Sequence, residues 1–398
     1  MMKLIQALTP LLFTTGLLFA NLEKELQTQF ILAASGDTIT IPKGHHKIQG
    51  TLSIEGKENL VIQGVGMDVS ILSFSNQSEG AQGISITNSK KITLEEFTIQ
   101  DSKGDAIKAQ YTDGIIFRHV KAEWTGGPKE TNGAYGLYPV QCENVLIEHS
   151  ISIGASDAGI YVGQSNNIVV RYNEAFENVA GIEIENSYNA EVYENYSHGN
   201  TGGILVFDLP DLLQKQGGNV RVYNNRIESN NLFNFAPKGN IVGKVLPGTG
   251  IMILACSGVH IFGNTIRNNK SIGTGIVSYF MTEEAIKDSL YNPYTADIHI
   301  YNNVYDRWPG FPELGFDIGQ LLAVKYGRNT PDIIYDGMQD PEIQAGLCIQ
   351  NNTDARFTDL DIEHNFDSWY SPFVANFSED MSKHNCGAQH PLISKSKK

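Results

Sequence analysis

Gly159-Ile160-Tyr161-Val162, Gly181-Ile182-Glu183-Ile184 and Gly203-Ile204-Leu205-Val206 follow one another at intervals of 22 residues, each a glycine leading into a short alternating strand. Alternation with period two marks a half-buried strand, and a longer period of about 22 residues marks one coil of a solenoid. The unit returns in both directions as Gly83-Ile84-Ser85-Ile86, Ala106-Ile107-Lys108-Ala109, Gly136-Leu137-Tyr138-Pro139, Gly250-Ile251-Met252-Ile253 and Gly275-Ile276-Val277, with spacings from Gly83 onward of 23, 30, 23, 22, 22, 47 and 25 residues. A second strand follows in each coil, as in Val145-Leu146-Ile147, Ile168-Val169-Val170, Val220-Arg221-Val222 and Ile298-His299-Ile300. The expected architecture is all-β, a single-stranded right-handed parallel β-helix.

Asparagines mark the turns. Asn173, Asn195, Asn225, Asn264 and Asn303 hold one register, and Asn178, Asn200, Asn230 and Asn269 sit five residues after the first four. Stacked asparagines bond from coil to coil and suit left-handed corner geometry, so their role is read as structural. A solenoid needs its open ends covered. Leu22 to Leu32 reads as an amphipathic capping helix, and the repeat fades after about Trp308 into an irregular C-terminal cap. The organisation expected is therefore residues 1–20 as a leader, 21–307 as the β-helix and 308–398 as cap and tail.

The leader is expected because Lys3 precedes an apolar stretch through Leu11, Leu12, Phe13, Leu17, Leu18 and Phe19 that ends on small Ala20. That stretch is too short and interrupted for a membrane span, which places the protein in the periplasm or outside the cell. Lysine plus arginine number 29 against 44 aspartate plus glutamate, a net charge of −15. Such a balance disfavours nucleic acid, which requires a basic stripe. Cys142 and Cys256 share one register position, but with three strands between them they would lie on the order of 19 Å apart, beyond disulfide reach. Cys348 and Cys386, both in the cap, are left as the expected bridge in an oxidising compartment.

Gly36-Asp37-Thr38-Ile39 through Pro42-Lys43-Gly44, followed by Leu60-Val61-Ile62-Gln63-Gly64, resembles the opening of secreted β-helix proteins of the pectin-lyase-like superfamily. Tyr135-Gly136-Leu137-Tyr138-Pro139-Val140 resembles the Tyr-Gly-Phe-Asp-Pro-His motif of mannuronan C5-epimerases, in which the aspartate and histidine move protons. Tyr135 and Pro139 match, while Tyr138 stands at the aspartate position and Val140 at the histidine position. Ser156 to Val162 is also similar to segments of NosD-type periplasmic β-helix proteins, which implies a non-catalytic maturation role as an alternative.

Alternation sends Tyr161 and Gly163 outward and Ile160 and Val162 inward. Stacking the coils gives an outward column Ser85, Lys108, Tyr138, Tyr161, Glu183, Leu205, Met252 and Val277, and a second column running through Gln110, Val140, Gly163, Glu185, Phe207, Leu254 and Tyr279. Chemistry on a uronate needs a base, an acid and a cation beside the carboxylate. Tyr161, Tyr138, Lys108 and Asp157 are the catalytic candidates, with Tyr135, Glu183, Glu185, Asp208 and Tyr279 contacting substrate. Glu183 and Glu185 are the candidate ligands of a Ca²⁺ ion, the cofactor such a site would recruit. Insertions at 124–134, 231–249 and 281–295 lengthen coils beside this face, as a binding groove would require. An aromatic column, Tyr193, Tyr223, Phe262 and Tyr301, runs beside His260 and His299, and no third metal ligand is evident there. The expected partner is a polysaccharide or oligosaccharide, handled by a lyase, an epimerase or a glycoside hydrolase; the alternatives are a carbohydrate-binding or accessory protein and, less suited to so uneven a face, a structural fibre.

Overall fold

The computed structural model describes residues 14–340, 346–365 and 377–386. The leader expected at 1–20 lies mostly outside them, as does the polar tail. No helix among the described residues is long and apolar enough to cross a membrane. Parallel strands stack into the expected solenoid. Eleven form one sheet that includes Tyr135–Val140, Ala158–Gly163, Ala180–Glu185, Gly202–Phe207, Thr249–Leu254 and Ile272–Val277. The other nineteen form the remaining two sides, which the long strands Lys90–Gln100 and Asp113–Glu123 join around a corner. Ile160, Ile182, Ile204 and Ile251 point inward in register and belong to one continuous apolar core.

Both asparagine ladders form. Each Nδ2 reaches the next Oδ1 at 2.9–3.1 Å from Asn173 to Asn352 and from Asn178 to Asn269. The left-handed geometry belongs to the preceding residue, not to the ladder asparagine. Tyr172, Glu194, Asn224, Gly263, Asn302 and Asn351, with Glu177, Gly199, Ser229 and Asn268, have φ between 51° and 66°. That residue turns the corner, and the asparagine after it points in to satisfy buried backbone groups that no strand pairs.

The helix Thr14–Leu32 buries Leu26 and Phe30 over the first coils. Gln27 acts as a missing strand neighbour: its Nε2 donates to Ser53 O at 3.0 Å and its Oε1 accepts from Ser53 N at 2.8 Å. Lys57 Nζ donates to the helix-end carbonyls of Ile31 and Ala33. At the other end the ladders continue past residue 307, because Ile333–Tyr335 pairs with Ile272–Val277 and Leu347–Gln350 with Ala296–Tyr301. The helix Asp317–Tyr326 packs Leu322 against Leu246, Ile272 and Ile334. Cys348 and Cys386 are bonded, with Cα atoms 5.4 Å apart, while Cys142 and Cys256 are free and buried.

Candidate active site

The eleven-stranded sheet carries the expected columns, with one register correction. Met252 pairs with Gly275 and Leu254 with Val277, so the last coil lies two residues from the expected alignment. Tyr279 therefore falls beyond the strand, in the turn Tyr279–Thr282, where it packs edge-on against Tyr291 and joins no substrate-facing column. A glycine-led repeat pattern misleads there because the strand Ile272–Val277 carries glycines at both 273 and 275.

The face is also not open along its whole length. Phe235, Val242 and Val245 from the 231–249 insertion, with Tyr279 and, from the next insertion, Tyr291, pack onto Tyr161, Leu205, Phe207, Leu254 and Val277. Ion pairs Lys244–Glu284 and Lys215–Asp288 lock these insertions to each other and to the turn after Phe207, and Tyr291 donates to Asp208 O at 2.6 Å. The insertions thus form a roof rather than groove walls. Beneath it Tyr161 is 4% exposed, Asp157 6%, Glu183 1%, Glu185 7% and Asp208 1%, against the expectation of a solvent-facing column. The reason is compositional: Leu205, Phe207, Met252 and Leu254 make the outward face of the next coils apolar, and apolar surface is covered when loops are long enough to reach it.

Lys108, Tyr135 and Tyr138 remain half-buried at the roof's edge. Lys108 Nζ sits 5.1 Å from the centre of the Tyr138 ring, and Tyr138 pairs with Lys108 in the sheet. The rings of Tyr135, Tyr138 and Tyr161 form a triangle with centroids 4.4, 4.4 and 4.9 Å apart. Tyr135 OH donates to Asp157 Oδ2 at 3.4 Å, and Asn240 Nδ2 from the roof donates to the same oxygen at 3.1 Å. Tyr161 lies along its strand over Gly163, where a Cβ would collide with the ring, and its hydroxyl donates to Glu185 Oε1 at 2.6 Å. Glu183 Oε2 is buried with no hydrogen-bond partner. Asp208 Oδ2 accepts from Gly217 N at 2.9 Å, which makes it an anchor of the loop that follows rather than a group on the open face.

Burial dominates the electrostatics. It pushes Asp157 up to about 7, with the Glu185 charge adding to it while Asn240 and Tyr135 pull the other way. Burial likewise takes Glu185 to about 7 despite the Tyr161 hydrogen bond, and Asp208 to about 6. Glu183 is pushed well up by burial and by its neighbours Asp157 and Glu185. Burial first, then nearby carboxylates, raises Tyr135, Tyr138 and Tyr161, so these hydroxyls are protonated at neutral pH and pass a proton on only by taking another at the same time. A carboxyl near 7 exchanges its proton in either direction at neutral pH. Asp157 can thus accept or return a proton that Tyr135 passes from the half-buried edge.

Two contributors escape the sequence reading. Burial raises the carboxyl of Asp105, and Lys108 lies close enough for its charge to work against that. Asp105 stands 30 residues before Tyr135, one coil away in the same register, so the repeat spacing carried the signal. Asn240 lies in an insertion outside the repeat, and no spacing marks it. Among the described residues, the only three His, Cys, Asp or Glu side chains with ligand atoms all within 4.8 Å of one another are His299, Cys348 and Cys386. Glu183 and Glu185 thus gain no third carboxylate at that spacing.

The family described as "Right handed beta helix region" matches residues 82–231. No curated protein matches the sequence. Among solved structures, the A-module of the Azotobacter vinelandii mannuronan C-5 epimerase AlgE4 is similar with a TM-score of 0.50 and 14% identity, over 83% of this chain and 90% of that one. The A-module of AlgE6 from the same organism gives 0.50 and 14%, over 84% and 91%. At such identity the likeness is one of fold, and with the strand pairing above it identifies the chain as a right-handed parallel β-helix protein.

Proposed function

We propose that the protein is a carbohydrate-active enzyme of the lyase, epimerase or glycoside hydrolase class, acting on a polysaccharide or oligosaccharide at the roof's edge. The observation that carries this reading is the Tyr135–Asp157 hydrogen bond, which leads from a half-buried tyrosine cluster to a carboxyl near 7, with a lysine beside the same cluster. Lys108 meets a sugar carboxylate, Tyr138 donates to a ring or leaving oxygen, and Tyr135 relays a proton to or from Asp157. Glu183 and Glu185 act beneath the roof on the charge of Asp157. The similarity in fold to the mannuronan C-5 epimerase modules supports a sugar polymer as substrate class. Export to the periplasm or the medium, where such polymers occur, belongs to the same reading.

Burial of Tyr161, Glu183 and Glu185 favours a second reading, a protein that binds carbohydrate at Lys108 and Tyr138 without turning it over. Incubating the full chain with alginates, pectins and neutral glycans separates the two. New unsaturated or reducing ends, or inverted C5 centres, support the enzyme; retention with none of these supports binding. Calcium and chelator arms of the same panel assign Glu183 and Glu185. Calcium-dependent turnover makes them cation ligands, and calcium-independent turnover makes them holders of protons.

A further inference from the structure

On the second side of the solenoid His260 pairs with His299 and His299 with Cys348, so three potential metal ligands follow one another on adjacent coils. The two imidazoles stack with centroids 4.4 Å apart and planes 7° from parallel. The C-terminal segment then brings Cys386 to Cys348, and a ring nitrogen of His299 lies within 4.8 Å of both sulfurs. Asp297 Oδ1 bonds His299 Nε2 at 2.8 Å, while Nδ1 is buried with no hydrogen-bond partner. With Nε2 keeping its proton and donating to the Asp297 carboxylate, the lone pair sits on Nδ1, the arrangement by which ligand histidines are held. A purely structural disulfide gives no reason for that orphaned nitrogen.

We propose that His299, Cys348 and Cys386 form a zinc site gated by the disulfide. While the sulfurs are bonded to each other no thiolate is available. A dithiol reductant splits the bond by giving it two electrons and two protons, itself closing to a cyclic disulfide. Zn²⁺ then displaces both thiol protons as the two Zn–S bonds form, neutral His299 adds its Nδ1 lone pair, and water takes the fourth position. Tetrahedral zinc with these ligands places the ligand atoms about 3.5–3.8 Å apart, inside the 4.8 Å that the side chains already share. Cys386 is exposed, so the reductant has access, whereas Cys348 is buried. Reduction leaves the segment in place, because His384 packs on Phe357 and Tyr335 and Ser378 pairs its backbone with Asp359.

The test uses the full chain, reduced with dithiothreitol, freed of it without oxygen and titrated with Co²⁺ as the probe. The reduced protein should take up one cobalt with thiolate-to-metal charge-transfer absorption, which Zn²⁺ abolishes, and the oxidised protein should show none. His299→Ala should weaken uptake tenfold or more at the same count of titratable thiols. A second measurement needs no substitution: Zn²⁺ should slow alkylation of Cys348 and Cys386 in the reduced chain and leave Cys142 and Cys256 unaffected. No charge-transfer band on reduction, wild-type affinity in the His299 variant, or alkylation unmoved by Zn²⁺ would overturn the proposal.

Discussion

The Tyr161 hydroxyl donates to Glu185 Oε1 at 2.6 Å, tying two neighbouring coils together beneath a roof of three interlocked loops. Both residues alternate outward from the solenoid, yet neither meets solvent. The bond is possible because Gly163, the sheet partner of Glu185, leaves room for the Tyr161 ring to lie along the strand.

Replacing Tyr161 by phenylalanine keeps the ring's packing and strands a buried carboxyl. The expected cost is about 1–3 kcal/mol of stability, the usual penalty for a buried polar group that loses its partner. The hydroxyl favours the ionised form of Glu185. The loss should therefore be larger at about pH 8 than at about pH 5.5, which denaturant titration at the two pH values checks.

Asp157, Glu185, Asp208 and Glu183 all hold protons more tightly in the folded chain than carboxyls do in water. Between the ordinary carboxyl values of 3.8 and 4.5 and the folded values of about 6 to 7, the native state binds more protons than the unfolded state. Stability should therefore fall as pH rises through that window and, for Asp157, Glu185 and Asp208, level off above it. Glu183→Gln, which cannot ionise beside Asp157 and Glu185, should raise the melting temperature at about pH 8 and flatten the decline. A melting temperature that climbs from pH 5 to 8 would contradict the assignment.

The solenoid was legible because its rules are local: a glycine, an alternating strand and an asparagine at the same offset, repeated until the register is unmistakable. The roof was not, because Asn231 to Thr249 and Met281 to Thr295 lie between repeats and nothing in their spacing says which way they fold. Leu205, Phe207, Met252 and Leu254 were the available warning, an outward face too apolar to stay bare. The left-handed corners show the same limit. Asparagine composition pointed to the ladder position, whereas backbone geometry placed the strain one residue earlier, at Tyr172 or Glu194 as readily as at Asn224.

The ladders themselves can be tested at Asn225. Its Nδ2 donates to Val192 O at 2.9 Å and to Asn264 Oδ1 at 3.0 Å, and its Oδ1 accepts from the backbone and side chain of Asn195. Asn225→Ala strands several buried groups in three coils at once, so the expected loss is at least about 3 kcal/mol. Asn76→Ala, at an exposed turn position outside the ladders, should cost less than about 1 kcal/mol. Equal effects in urea unfolding would deny the ladder its role.

The central claim is that the half-buried edge at Lys108, Tyr135 and Tyr138 turns over a sugar polymer, and turnover by Tyr138→Phe beside the wild type measures it most directly. A positioned proton donor contributes about 10²–10⁴-fold to rate, so the variant should lose at least about tenfold on the polymer the wild type processes fastest. Its melting temperature should stay unchanged, since the Tyr138 hydroxyl lies at the roof's edge rather than beneath it. Lys108→Ala should weaken a uronate polymer more than a neutral one. Wild-type rates in Tyr138→Phe, or no turnover of any polymer by the unmodified chain, would contradict the account.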